Sequence, residues 1–132
     1  MARRKHRTAL LDPPPSPPVT PVQGPDGEAG GGRIRIGGDY QGGGSLQRAA
    51  TTRVDAASTI SADAGRSGDG GSIVIWSDRS TDFAGRISAR GGAQGGNGGD
   101  AEVSGKVLLA YTGSADLTAP RGRFGTLLLD PY

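Results

Sequence analysis

The residues best suited to do chemistry in this 132-residue chain are its 13 aspartates and glutamates. The chain has no cysteine, and its one histidine, His6, lies in the basic run RRKHR (Arg3–Arg7). A His-based catalytic triad or a Cys/His zinc site therefore has no residues to use in the rest of the chain. Carboxylate chemistry remains, either as calcium binding or as cleavage by paired aspartates.

Asp100 is the candidate metal ligand. It lies in GGNGGDAEV (Gly95–Val103), which fits the start of the nonapeptide whose tandem copies bind calcium in β-roll proteins. However, Glu102 stands where that motif needs a large apolar residue, and no second copy follows nine residues later. The pattern favours a glycine corner before a strand, so we expect no metal and no cofactor, with calcium at Asp100 as the alternative.

Polysaccharide cleavage is a second alternative, because some β-helix enzymes carry aspartate clusters on one face. The candidates are Asp63, Asp69, Asp78 and Asp82. Arg79 flanks Asp78, and charges arranged in this way are typical of a solvated loop rather than of a catalytic pair. The sequence therefore predicts a protein that is not an enzyme.

Nucleic-acid binding by a disordered, glycine-rich chain is the rival to a folded structure. The segments ARGG (Ala89–Gly92) and PRGRFG (Pro120–Gly125) are arginine–glycine pairs of that kind. From Arg33 onward, however, 11 Lys and Arg face 10 Asp and Glu, so the balance is nearly neutral. Binding to a phosphate backbone depends on a basic excess, and the charge balance argues against nucleic acid.

Two aromatic residues are the candidate surface contacts. Trp76 follows Ile75 by one position, so alternation along a strand directs it outward when Ile75 points inward. Tyr40 lies in DYQGGGSLQRA (Asp39–Ala49), an insertion, and insertions are where repeat proteins display binding groups. Tyr40 and Trp76 could contact a glycan or another chain, and Trp76 could equally stack on a neighbouring coil.

A repeated strand pattern must position these residues. One apolar column is glycine-led, and two more follow it in each repeat. The first, glycine-led column consists of Ile34/Ile36, Ile73/Val74/Ile75, Ala101/Val103 and Leu127/Leu128/Leu129. The second column consists of Val54, Phe83 and either Leu109 or Tyr111. The third column consists of Ile60, Ile87 and Leu117. The repeats run 31–69, 70–97 and 98–124, with a partial repeat at 125–132.

Stacked copies of such a repeat make parallel sheets. Each repeat is rich in glycine and β-branched residues, and its apolar residues do not recur every 3.6 positions. Helical repeats are therefore excluded. The sequence therefore predicts an all-β parallel β-helix of three to four coils over residues 31–132. Residues 1–30 hold seven of the nine prolines and are predicted to be a disordered basic, Pro-rich tail.

Four segments resemble the large exoproteins of the filamentous-haemagglutinin type, which Gram-negative bacteria export by two-partner secretion. They are GGDYQGGG (Gly37–Gly44), GDGGSIVIWSDRSTDFAGRISARGG (Gly68–Gly92), GGNGGDAEVSGK (Gly95–Lys106) and GTLLLDP (Gly125–Pro131). The resemblance implies a right-handed parallel β-helix at the cell surface or outside the cell, exported through an outer-membrane barrel. It implies a non-catalytic role in adhesion, with a receptor or glycan as partner.

Family members carry a signal peptide, whereas here RRKHR is followed only by TALL before Asp12. We interpret the chain as a fragment or a gene with a displaced start. A stack of three coils exposes unpaired strand edges, so we also expect self-association through its open ends.

Overall fold

A computed structural model describes residues 29–131 and, before them, two short strand segments. The described chain is all-β, with one 3-10 turn at Tyr40–Gly42. Its strands are β1 (Ala9–Asp12), β2 (Val22–Gln23), β3 (Arg33–Ile36), β4 (Thr51–Val54), β5 (Thr59–Ser61), β6 (Ser72–Ile75), β7 (Ser80–Phe83), β8 (Arg86–Ser88), β9 (Asp100–Gly105), β10 (Leu108–Tyr111), β11 (Ser114–Asp116) and β12 (Thr126–Pro131). Within this part of the chain, no helix is long and apolar enough to cross a membrane.

The twelve strands form three sheets of four. Sheet A has the order β1-β4-β7-β10, sheet B has β2-β5-β8-β11, and sheet C has β3-β6-β9-β12. Every neighbouring pair is parallel except β1 and β4, which are antiparallel. From β3 onward, successive strands enter sheets C, A and B in a fixed order, so three consecutive strands make one unit. The predicted all-β, parallel character is confirmed.

Two of the predicted apolar columns match the strand register. In sheet C, Ile34, Ile73, Ala101 and Leu127 are successive partners, and so are Ile36, Ile75, Val103 and Leu129. In sheet A, Val54 pairs with Phe83 and Phe83 with Tyr111, which decides between the two candidates for that column. The rings of Phe83 and Tyr111 stack with centroids 5.5 Å apart.

The third column was predicted with the wrong last member. Ile60 pairs with Ile87 as expected, but the next partner is Ala115 and not Leu117. Leu117 is the more apolar residue of the two and lies two positions later, just after β11 ends. It is nevertheless buried and belongs to the same core cluster, because a two-residue shift keeps a side chain on the same face of a strand.

The predicted disordered tail, residues 1–30, falls mostly outside the described residues. Two pieces of it are strands that the sequence did not indicate. β1 pairs with β4 at the edge of sheet A, and β2 pairs with β5 at the edge of sheet B. Both therefore lie beside the first three-strand unit.

The core lies between the three sheets and has polar members whose hydrogen bonds are satisfied. Thr52 and Thr81 are almost fully buried in sheet A. The Thr52 hydroxyl donates to the Trp76 carbonyl at 2.7 Å, and the Thr81 hydroxyl donates to the Ser104 carbonyl at 2.7 Å. Each threonine thus bonds to the chain of sheet C in the following unit, which offsets the cost of burying its hydroxyl.

Asp63 links the first two units on the outside of sheet B. Its Oδ1 accepts from the Ser88 hydroxyl and the Arg90 backbone N–H, both at 2.7 Å, and its Oδ2 accepts from the Arg90 guanidinium at 3.0 Å. Burial by itself raises the pKa of Asp63. The bonds from Arg90 and Ser88 outweigh that effect and hold the pKa below its usual value.

This lowered pKa gives a testable pH dependence. The unfolded-state pKa of aspartate is about 4, so ionised Asp63 stabilises the fold above that pH. The contribution is lost as the pH falls from about 4 through the lower folded-state pKa. We expect the melting temperature to drop on acidification below about pH 4, and to drop less in Asp63→Asn. Equal pH dependence in the two proteins would show that Asp63 makes no such contribution.

Candidate functional site

The segment between β3 and β4 is longer than its counterparts and folds over the outside of sheet C. It spans residues 37–50, whereas residues 76–79 make the same connection in the second unit. Asp39 fixes its start by accepting from the Tyr40 backbone N–H at 2.7 Å and from Arg35 Nε at 2.6 Å. These two bonds, the one from Tyr40 being the stronger influence, hold the pKa of Asp39 below its usual value. We call residues 39–44 the flap.

The flap is bound to the third unit through Glu102, a carboxylate that is only 2% exposed. Glu102 Oε1 accepts from the backbone N–H of Gln41 at 3.0 Å, and its Oε2 accepts from the Ser104 hydroxyl at 2.7 Å. Gln41 has φ 50° and ψ 31°, a left-handed conformation that is uncommon for a residue other than glycine. The flap is therefore held in one conformation by contacts made far along the chain.

Trp76 lies beneath the flap and not on the surface. Its exposed fraction is 2%, and its Nε1 donates to Asp78 Oδ1 at 2.9 Å. Gly42, at φ +74°, lies so close to the indole that a Cβ there would be 2.5 Å from Cζ2. The prediction of an outward-facing Trp76 was right about the face of the sheet. The prediction that it is a surface contact was wrong, because the insertion covers that face.

Tyr40 is the predicted surface contact that the structure does place at the surface, with 58% of the residue exposed. It lies at the rim of an open groove of about 380 Å³ on the outside of sheet C. The groove is lined by residues of three neighbouring strands of sheet C and by one residue of the flap: Tyr40, Ser72, Ile73, Val74, Asp100, Ala101, Glu102, Thr126 and Leu128. This groove is the candidate functional site.

Asp100 lies in the same groove, at the first position of β9. It is exposed, and its Oδ1 accepts from the Thr126 hydroxyl at 2.8 Å. No group of three or more His, Cys, Asp or Glu residues gathers around a common point in the described part of the chain. Asp100 therefore contributes a single carboxylate to the groove, beside the already hydrogen-bonded Glu102.

Three of the four aspartates considered for polysaccharide cleavage make structural contacts, among them Asp69, which accepts from the Asn97 backbone N–H at 2.8 Å. Asp63 is paired with Arg90, and Asp78 is paired with Arg48 at 2.9 Å. The Trp76 N–H and, to a smaller extent, Arg48 hold the pKa of Asp78 below its usual value. A general acid for glycoside cleavage needs a raised pKa, so Asp78 is not suited to that role.

The groove can bind a small ligand with one apolar face and several hydrogen-bonding groups. The Tyr40 ring and the side chain of Leu128 offer apolar surface, while Asp100 and Thr126 offer acceptors and a hydroxyl. Its lining carries two carboxylates and no basic side chain. Electrostatics therefore favour neutral or cationic groups there and oppose phosphate or sulfate.

Of the residues in this groove, the sequence analysis named Tyr40 as a surface contact and Asp100 as an alternative calcium ligand. It missed Glu102 and the folding of the flap over sheet C. The missed signal was an acid at the third position of β9, where the strand pattern otherwise indicates a solvent-facing residue. Comparisons with known proteins add no assignment, since no protein-family model matches the chain and no curated protein matches it.

The Glu102 anchor can be tested with the chain's only tryptophan. Glu102→Ala leaves the Gln41 N–H without its acceptor, and we expect a loss of about 1–3 kcal/mol of stability. The flap then loosens, and Trp76 fluorescence should shift to longer wavelength as the indole meets water. The matched control is Asp100→Ala, two residues earlier on the same face, which should leave the emission unchanged. An unshifted spectrum in Glu102→Ala would show that the anchor does not hold the flap.

Proposed function

We propose that the three sheets are the faces of one right-handed parallel β-helix and that the chain is a structural segment of a surface adhesin. The single observation that carries the fold is the order of the strands. Sheets C, A and B receive one strand each from every successive unit, and the paired strands of the second and third units are 28 residues apart in all three sheets. A chain that winds steadily around one axis produces this constant order and spacing.

The proposed role is passive and non-catalytic. Each coil buries its Ile, Val and Phe columns against the next, so the chain forms a stiff rod that can present surface groups away from a cell. The resemblance to filamentous-haemagglutinin-type exoproteins supports an extracellular or cell-surface location, with an outer-membrane barrel as the export partner. The groove beside Tyr40 is the place at which we propose contact with a receptor or glycan.

The rival function, binding of nucleic acid by a disordered chain, has weaker support. Several of the arginines that would contact phosphate are engaged with carboxylates, among them Arg35, Arg48 and Arg90. The rival interpretation also requires that the apolar columns have no structural purpose, whereas their members pair in register.

Cell adhesion is the test of the proposed function. Beads coated with the chain should adhere to cell surfaces more than beads coated with an unrelated protein, and Tyr40→Ala should reduce adhesion at least severalfold. Val107→Ala, at another exposed apolar residue, is the matched control and should adhere normally. Normal adhesion by Tyr40→Ala would remove the groove from the proposal, and no adhesion by the wild-type chain would remove the adhesin function. Steeply salt-dependent binding to RNA would instead support the rival.

A further inference from the structure

The C-terminal end of the stack is an open apolar face. We use the name open face for the inward-pointing residues of the last strand in each sheet, which are Leu109, Tyr111, Ala115, Leu127 and Leu129. The residues that pair with them in the strands of the preceding unit are only 0–5% exposed. By contrast, Leu127 is 37% exposed and Leu129 is 40% exposed, because nothing in the described chain covers them.

The opposite end of the stack is closed by the chain itself. β1 lies on sheet A and β2 lies on sheet B beside the first unit. In sheet C, the edge residues Ile34 and Ile36 are only 8% exposed. In sheet A, β1 is antiparallel to β4, so there this end does not offer the parallel edge that head-to-tail stacking would need. A head-to-tail stack of copies is therefore disfavoured.

Phe124 shows that the open face is also not suited to another unit of the same kind. The register of sheet C places Gly31, Gly70, Gly98 and Phe124 at equivalent positions. A Cβ added at any of these three glycines would lie within 2.1 Å of a carbonyl oxygen near the end of the unit that contains the glycine. It would also lie within 2.7 Å of a backbone amide nitrogen in the following unit. Phe124 breaks this column, and its own side chain is 74% exposed.

The edge of β12 is complementary to itself. The Thr126 N–H donates to the carbonyl of Gly99, the residue just before β9. Backbone groups alternate along a strand, so those of Leu127 and Leu129 point to the free edge. Suppose that the β12 strand of a second copy pairs antiparallel with this edge, with the two Leu128 residues opposite each other. Leu127 of each copy then lies opposite Leu129 of the other copy, and each of these two residue pairs forms backbone hydrogen bonds. The inward-pointing leucines of both copies then lie on the same face. Thr126 faces Asp130, so no like charges meet.

We propose that the open face binds a second copy of this chain, forming a symmetric tail-to-tail dimer in which the two β12 strands pair antiparallel about Leu128. The dimer closes because the contact is isologous, and it buries the leucines of both open faces. This interaction does not depend on adhesion, so it can hold or fail separately from the proposed function.

A single introduced cysteine tests the register directly, because the native chain has none. In the proposed pairing the two Leu128 residues are a non-hydrogen-bonded pair with Cα atoms about 4.5 Å apart, within the range of a disulfide. Leu128→Cys should therefore give a covalent dimer under mild oxidation. Asp130→Cys is the matched control and should stay monomeric, because two Asp130 residues are four positions out of register. A mixture of Thr126→Cys and Asp130→Cys should cross-link as a heterodimer.

Light scattering after gel filtration tests the dimer without cysteine. The wild-type mass should double as concentration rises. Leu129→Pro removes an N–H that points to the free edge while leaving the bonds to β9 intact, and Leu127→Lys puts a charge in the open face. Both variants should lose the dimer, whereas Val107→Lys should keep it; an unchanged β-sheet circular dichroism spectrum shows that each variant is folded.

The outcomes separate the possible occupants of the open face. A doubled mass with the Leu128→Cys cross-link supports the proposal. A wild-type monomer at all concentrations overturns it. Large polymers without the Leu128→Cys cross-link also overturn it, because they indicate head-to-tail association.

Discussion

Gly70→Ala is expected to prevent folding or to destabilise the fold by more than about 3 kcal/mol. Overpacking a core costs about 1–3 kcal/mol when side chains can move aside. At Gly70 the atoms in the way are backbone. A Cβ there would lie 2.1 Å from the Ala89 carbonyl oxygen and 2.7 Å from the Gly99 nitrogen. Neither can shift without separating two units, so the cost exceeds that range. Thermal and urea denaturation monitored by circular dichroism would measure it.

The matched control for this substitution is Gly95→Ala. A Cβ at Gly95 would meet no atom within 4 Å. The same chemical change should therefore alter stability by less than about 1 kcal/mol, and can increase it by restricting the unfolded chain. If Gly70→Ala melted like Gly95→Ala, the close approach of the units at Gly70 would be wrong.

The strand pattern was largely predictable because two sequence signals recur in every repeat: a glycine, and the alternating apolar residues that follow it. A glycine followed by alternating apolar residues specifies where each strand of sheet C begins and which face it buries, and the register confirms it from Ile34 to Leu129. The Ala115 error arose because the third column is weakly marked. Ala115 and Leu117 point to the same face, and apolarity alone favoured the wrong one. β1 and β2 lie in a segment whose composition is dominated by proline, which hid them.

The site was less predictable because it depends on a contact across two units. Alternation along β6 correctly assigned Trp76 to the outer face of sheet C. It could not show that residues 39–44 fold back over that face, since Gln41 and Glu102 are 61 positions apart. Glu102 is buried, and one of its oxygens accepts a hydrogen bond from the flap. The alternation of residues along a strand indicates which face of the sheet a side chain is on, but not whether another segment of the chain covers that face.

Phe83→Ala is the second substitution with a large expected effect. Phe83 is fully buried at the centre of sheet A, between Val54 of the first unit and Tyr111 of the third. Its ring stacks on Tyr111 with an interplanar angle of 6°. Removing it leaves a cavity that the neighbouring strands cannot fill, and such changes cost about 3–5 kcal/mol. For a domain of this size that is a large share of the total stability, which is typically about 5–15 kcal/mol.

Phe124→Ala is the matched control, because the same atoms are removed from a side chain that is 74% exposed. Measured by urea denaturation at low protein concentration, it should change stability by less than about 0.5 kcal/mol. Phe83→Leu should fall between the two, since most of the cavity is refilled. If Phe83→Ala and Phe124→Ala unfolded at the same urea concentration, then the Val54–Phe83–Tyr111 column would not hold the three units together. The stability of the stack would then come from its backbone ladders alone.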